Sequence, residues 1–261
     1  MRGLFSARKN GKVADRSSSA PLCDTIFRMK EQNIKGDYHF SRTDIHEGDI
    51  QGHLEHIHRE FKDGFEFLKN FPKSVTVYGS SMVKPSDVNY KMAEEICARI
   101  AKELKYTVVT GGGPGIMEAA NKGAFTAGGS SIGLNISLPH ERVTNAYVSH
   151  AIKFSYFFAR KTMLMFAAEA YIFFPGGFGT FDELFSTLTL IQTGKIPRVP
   201  VIMFDSKFWN SFKDYMKKDM LDSYGTIDPE DLDLFEITDS PDRVIEIIKK
   251  APFSEWWRNI N

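Results

Sequence analysis

The sequence predicts an α/β fold, a Rossmann-like doubly wound parallel sheet in a single domain with an N-terminal helical extension, and three observations lead there. From Lys73 onward short apolar runs alternate with longer stretches of helical periodicity, the rhythm of βαβ units. Glycine or proline marks each boundary between them. The strongest run, Ala170-Tyr171-Ile172-Phe173-Phe174, is apolar at every position, as a strand covered by helices on both faces should be.

The elements follow in order. Residues 74–78 form the first strand, then Gly79-Ser80-Ser81 and a helix with Met92, Ile96, Ile100 and Leu104 on one face. Strand 107–110 ends in glycines, helix 114–127 leads to strand 131–136, and helix 156–168 precedes strand 170–174. Helix resumes at Phe178, followed by strand 199–204, helix 207–221, a short strand 234–237 and helix 242–250. Ahead of the sheet, residues 54–71 read as an amphipathic helix with Ile57, Phe61, Phe65 and Leu68 along one side, packed on the sheet or on a partner subunit. The expected organisation is a disordered basic tail over 1–30, a helical extension over 31–72 and a nucleotide-binding catalytic domain over 73–261. In the tail, Arg2, Arg8, Lys9, Lys12 and Arg16 face the single acid Asp15; a transit peptide is the competing reading.

With 261 residues, one large α/β domain is the default. Hydrophobic residues at 42% and charged residues at 25% fit an ordinary soluble domain. The 33 basic and 33 acidic side chains cancel, so no overall field draws in nucleic acid or an anionic membrane. No apolar stretch reaches bilayer-spanning length, and the first residues lack the apolar centre of a secretory signal. Cys23 and Cys97 are too few for a disulfide scaffold and have no metal-ligand spacing, which suits a reducing compartment. The expectation is a cytoplasmic protein with no nucleic-acid or membrane partner.

Three glycine-bearing loops each stand at the carboxyl end of a strand: Gly79-Ser80-Ser81, Gly111-Gly112-Gly113-Pro114-Gly115 and Pro175-Gly176-Gly177-Phe178-Gly179-Thr180. Glycine there permits positive φ and close backbone approach, and the helix that follows offers unpaired N–H groups, so phosphate is the natural guest. For any one loop a tight turn alone is an equal reading; three together favour a ligand. Glu118 stands where a dinucleotide fingerprint needs its third glycine, which argues against NAD, and no P-loop pattern occurs.

Glu183 follows Thr180 by three residues, the spacing of a capping box, and a structural role competes there with a ligand-facing one. Arg160 and Lys161 interrupt a helix rich in Phe157, Phe158, Met163, Met165 and Phe166. They either snorkel to solvent or, in the case of Arg160, offer a planar fork to phosphate. His39, His46, His53, His56 and His58 lie before the core without a metal-binding motif, so no metal is expected. Trp256 and Trp257 read as a tail packed on the body.

Gly111-Gly-Gly-Pro-Gly-Ile-Met-Glu-Ala-Ala-Asn121, Arg160-Lys161 and Pro175-Gly-Gly-Phe-Gly-Thr-Phe-Asp-Glu183 resemble the LOG (LONELY GUY) family over about residues 73–250. Its members are cytokinin-riboside 5′-monophosphate phosphoribohydrolases and related nucleotide nucleosidases, often labelled possible lysine decarboxylases. The resemblance implies Arg160 and Glu183 as catalytic residues and Gly176, Gly177, Gly179 and Thr180 as the phosphate-binding turn. It places the first glycine loop on Gly79 and Ser80 and the second on Gly112, Gly113 and Gly115, followed by Met117 and Glu118, with Lys161 beside the arginine as a further nucleotide contact. It also implies a homodimer or higher homo-oligomer. Two departures stand out: about seventy residues precede the core, which compact plant-type members lack, and Phe157-Phe158-Ala159 replaces a more polar approach to the arginine.

The implied reaction cleaves the N-glycosidic bond of a purine nucleoside 5′-monophosphate, adenosine or N6-substituted adenosine, to free base and ribose 5-phosphate without a cofactor. Glu183 would stabilise an oxocarbenium-like sugar or activate water, and Arg160 would serve either the leaving base or the phosphate. A non-catalytic nucleotide sensor is the alternative from another class. A pyridoxal-dependent lysine decarboxylase ranks last, since Lys161 is the one candidate Schiff-base lysine and no acidic partner for the ring nitrogen is evident.

Overall fold

The structure is a computed structural model, which describes residues 47–137, 144–166 and 168–252. The basic tail, Cys23, His39, His46 and the Trp256-Trp257 pair lie outside the described residues. The strands are β1 (Ser74–Tyr78), β2 (Thr107–Thr110), β3 (Ser131–Ile136), β4 (His150–Phe154), β5 (Ala170–Phe173), β6 (Val201–Phe204) and β7 (Glu236–Thr238). They form one parallel sheet in the order β4-β3-β2-β1-β5-β6-β7. The helices are α1 (Glu47–Leu68), α2 (Val88–Arg99), α3 (Ile116–Thr126), α4 (Phe157–Phe166), α5 (Phe178–Gln192), α6 (Ser206–Tyr215) and α7 (Pro241–Lys250). Among the described residues no helix is long and apolar enough to cross a membrane.

The all-apolar strands have a simple cause. Val75, Val77, Ala170 and Ile172 face a core shared with α2, α3 and α7, while Tyr78, Tyr171 and Phe173 face a second core with α1, α4, α5 and α6. Both faces of β1 and β5 are therefore removed from water, which erases the alternation of a half-exposed strand. From β1 the chain steps outward to β2, β3 and β4, then returns across β1 to β5, β6 and β7. The winding reverses between β1 and β5, and the crevice beyond their carboxyl ends is where such a sheet binds ligands.

Three features differ from the sequence expectation. Strand β4 was not predicted: His150-Ala151-Ile152-Lys153-Phe154 is an edge strand with only Phe154 buried, so it lacks the apolar run of a central strand. Helix α1 begins at Glu47 rather than near 54, because its first turns are polar and carry no apolar stripe. It docks on α4, with Phe61 stacked on Phe158 at 6.4 Å and Phe65 edge-on to Phe166 at 5.3 Å. The aromatic surface of α4 is thus partly covered from within the chain.

The loops after β1, β2 and β5 are joined through the backbone of one residue, Ser80. The Ser80 amide donates to the Pro175 carbonyl at 3.0 Å, and the Ser80 carbonyl accepts from the Ile116 amide at 3.0 Å. Gly115 sits beside that carbonyl at φ +71°, and a Cβ there would lie 2.4 Å from the Ser80 oxygen. Gly115→Ala is expected to destabilise the fold on the order of 1–3 kcal/mol, through positive φ and displacement of Ser80. Urea unfolding reads this directly, and a midpoint equal to wild type contradicts it.

Candidate active site

A cavity of about 420 Å³ opens at the carboxyl ends of β1 and β5, a volume within the range of small-ligand sites. Of the residues singled out in the sequence, Gly79, Ser80, Gly112, Gly113, Met117, Arg160, Gly177, Gly179, Thr180 and Glu183 line it. Gly115, Glu118, Lys161 and Gly176 do not. Gly115 packs on Ser80, and a Cβ on Gly176 would meet Thr180 Oγ1 at 2.0 Å. Glu118 accepts a hydrogen bond from the Tyr90 hydroxyl at 2.9 Å. Lys161 is committed to Asp182 at 2.5 Å and Ser186 at 3.2 Å.

The glycine loops do not contribute alike. Gly112 donates its amide to Thr110 Oγ1 at 2.9 Å and its carbonyl accepts from the Asn145 amide at 2.9 Å, so its backbone is spent inside the protein. The Ser80 amide is likewise spent on Pro175. Helix α5, by contrast, starts in the cavity wall: Gly177 is its N-cap residue, with no side-chain cap. The amides of Phe178 and Gly179 precede its first intrahelical bond, which Thr180 donates to Gly177, and they carry the positive end of the helix dipole. That end, bounded by Gly177, Gly179 and Thr180, has the backbone chemistry that suits an anion.

The capping-box spacing of Thr180 and Glu183 is not realised. Because α5 begins at Phe178, Thr180 is already in the first turn with its amide bonded to the Gly177 carbonyl at 2.9 Å. Glu183 lies in the second turn, 9% exposed, and its Oε2 has no hydrogen-bond partner. Burial pushes the Glu183 carboxyl up from 4.5 to about 7, against the pull of Lys161 and Arg160 and with a smaller push from Asp182. A carboxylic acid poised near neutrality in a cavity wall suits acid–base work.

Arg160 stands in the first turn of α4. Its Nε donates to the Leu134 carbonyl at 2.7 Å, and its Nη2 lies against Gly111, where a Cβ would come within 2.0 Å. No ion pair to Arg160 occurs among the described residues, so its charge is left for the cavity. Burial pulls its pKa down while Glu183 and Tyr78 push it up.

Sequence reasoning missed Tyr78 and Asn135. The Tyr78 ring stacks on Phe173 at 4.8 Å, and its buried hydroxyl has no partner. Asn135 donates through Nδ2 to Thr144, leaving a buried Oδ1 without a partner. Both line the cavity. The available signal was positional: Tyr78 ends the strand before the first glycine loop, and Asn135 is a polar interruption late in an apolar strand. Buried polar atoms are normally paired, so these and Glu183 Oε2 mark a polar ligand surface.

Of the histidines, His53 Nδ1 lies 2.6 Å from the Tyr156 hydroxyl and His56 lies 3.3 Å from Glu60. Among the described residues no three His, Cys, Asp or Glu side chains gather into a metal-binding group.

Sheet and cavity together define a doubly wound α/β protein with a glycine-loop site at its switch point. A family model described as "Possible lysine decarboxylase" matches residues 117–248, about half of the chain, and the chain belongs to this family, the LOG family. A cytokinin riboside 5′-monophosphate phosphoribohydrolase of Rhodococcoides fascians is 26% identical over 162 residues, which cover 59% of this chain and 79% of that protein. In fold, the chain resembles the X-ray structure of TM1055, with a TM-score of 0.52 and 23% identity over 68% of this chain and 99% of that one. It likewise resembles the molybdenum cofactor carrier protein of Chlamydomonas reinhardtii, with a TM-score of 0.51 and 20% identity over 69% and 97%. The lysine-decarboxylase label implies pyridoxal phosphate, but the residues do not fit that group: Lys161 is ion-paired to Asp182 and stands outside the cavity lining.

The raised carboxyl of Glu183 has a consequence for stability. The native protein holds a proton there that the unfolded chain loses from pH 4.5 upward, so stability falls as pH rises from 4.5 through about 7. At about 1.4 kcal/mol per pH unit separating the two values, the bound is about 3 kcal/mol. Glu183→Gln should therefore be more stable than wild type at pH 8 and lose this pH dependence. Melting curves at pH 4.5 and 8 test it, and an equal or lower midpoint at pH 8 counts against a strained carboxylate.

Proposed function

We propose that this protein hydrolyses the N-glycosidic bond of a purine nucleoside 5′-monophosphate, releasing free base and ribose 5-phosphate. The observation that carries the proposal is the buried, unpartnered Glu183 carboxyl, poised near pH 7 in the same cavity wall as the Arg160 guanidinium and the amino end of α5. Membership of the LOG family and the name of the Rhodococcoides fascians relative support it.

In this reading the 5′-phosphate sits at the amino end of α5, against its first-turn amides and Thr180. Ionised Glu183 faces the sugar, stabilises positive charge at the anomeric carbon and takes a proton from the attacking water. The water oxygen bonds to the anomeric carbon as the bond to the base nitrogen breaks, and the proton held by Glu183 passes on to the departing base. Arg160, with Nε fixed by Leu134, turns its terminal nitrogens to the bound nucleotide, where they meet the negative charge of the ribose 5-phosphate part and that which develops on the departing base. Tyr78 and Asn135 supply the donor and acceptor that hydroxyl groups of the sugar would satisfy. A homo-oligomer belongs to the same proposal: Phe157 and Phe178, 63% and 96% exposed beside the cavity, are apolar surface that a second copy would cover. Sedimentation at micromolar concentration checks it.

The decisive experiment is incubation with a panel of nucleoside 5′-monophosphates, measuring free base and ribose 5-phosphate together. Purine monophosphates should give both products in equal amounts, and adenosine should react far more slowly than AMP, because phosphate binding positions the sugar. Glu183→Gln should lower kcat by about 10²-fold or more. kcat/KM for AMP should fall below about pH 7 as Glu183 takes up its proton. Tight nucleotide binding with no base released would instead identify a sensor.

A further inference from the structure

Helix α4 carries Arg160, yet it has no cap of its own. Its first turn, Phe157-Phe158-Ala159-Arg160, contains no acid and no short hydroxyl or amide side chain. A guanidinium in the first turn also opposes the positive end of the helix dipole. The missing acceptor comes from outside the helix. Glu60 of α1, 7% exposed, accepts from the Ser155 amide at 2.5 Å and from the Tyr156 amide at 3.2 Å. This places in trans the carboxylate that a capping box would supply from within the helix. The Tyr156 carbonyl in turn accepts from the Arg160 amide at 3.1 Å, so a single residue, Tyr156, links the Glu60 carboxylate to the turn that aims Arg160.

The other end of α4 is held in the same manner by the sheet. Thr76 donates to the Leu164 carbonyl at 3.0 Å and the Tyr171 hydroxyl to the Met165 carbonyl at 2.6 Å. Between the two ends α1 lies close along the helix, where a Cβ on Gly64 would come within 2.7 Å of Met163. The family match begins at Met117 and does not include α1.

We infer that Glu60 is a positioning residue for Arg160, and that α1 is an intramolecular clamp which sets the depth of that guanidinium in the cavity. The inference rests on the functional reading above, in which Arg160 contacts the nucleotide. A buried carboxylate bonded to two amides fixes a helix terminus more firmly than packing alone, and an ångström of drift at a reacting group is costly.

The test uses the full chain, with AMP as substrate and with ribose 5-phosphate binding as an independent readout. Glu60→Ala should lower kcat/KM for AMP on the order of 10-fold or more. Glu60→Gln, which keeps an acceptor oxygen, should recover most of that loss and serves if the alanine variant folds poorly. A merely structural glutamate would move the melting temperature alone. The distinguishing measurement is a double-mutant cycle with Arg160→Ala. In that background the Glu60 substitution should cause no further loss of rate or ribose 5-phosphate affinity, while its effect on melting temperature stays the same. A Glu60→Ala protein with kcat and KM within twofold of wild type overturns the clamp, as does an equal loss in both backgrounds. Wild-type turnover by Arg160→Ala alone overturns the functional reading instead, so the two failures are distinct.

Discussion

The backbone of Ser80, which bonds through both its N–H and its C=O, is the constraint on which the rest of the site depends. β1 ends where the winding of the sheet reverses, and three loops must converge there without leaving buried backbone groups unpaired. Ser80 resolves this by donating to the loop after β5 and accepting from the start of α3. The arrangement tolerates no side chain on either flank, since a Cβ on Gly79 would strike Ile116 at 2.7 Å and one on Gly115 would strike the Ser80 oxygen. These glycines serve the protein before they serve any ligand. By locking two loops to one another, they spend the Ser80 amide inside the protein, while the amino end of α5 still offers backbone donors to the cavity.

Glu183 shows the opposite economy. It has exchanged water for an apolar wall with one oxygen unpaired, and neither Lys161 nor Arg160 offsets the loss of hydration fully. A buried carboxyl without full hydrogen bonding destabilises a fold. Such a residue is best understood through what the cavity gains, a base that is ionised only in part at neutral pH. The Lys161–Asp182 ion pair beside it moderates the field, because its two charges act on Glu183 with opposite sign.

Much of this was legible in the sequence, for identifiable reasons. Doubly buried strands carry an unbroken apolar signature, so β1, β5 and β6 were plain, whereas β4 at the edge, with His150 and Lys153 in its five residues, was not. Strand-end glycine loops pointed to the end of the sheet at which the cavity opens, and Arg160 and Glu183 share that cavity. The division of labour among glycines was invisible, because whether an amide such as that of Gly112 is free depends on the distant Asn145 and the local Thr110 hydroxyl. The capping-box spacing at Thr180 misled because α5 starts three residues earlier than that motif requires. Spacing carries no information about where a helix begins when glycine occupies the cap.

Tertiary hydrogen bonds also explain why α4 could not be understood from its own residues. A ten-residue helix is below the length at which isolated helices persist in water, and this one has an uncapped start with a cation in its first turn. Its amino end is closed by Glu60, its carboxyl end by Thr76 and Tyr171, and its apolar side by Phe61 and Phe65 of α1. A helix built in this way keeps its position only while its neighbours keep theirs. The exposed Phe157 and the half-buried Arg160 share that helix and both line the cavity, so whatever positions the helix positions both. Helix α1, which grips α4, therefore acts on the site directly, although none of its described side chains lines the cavity.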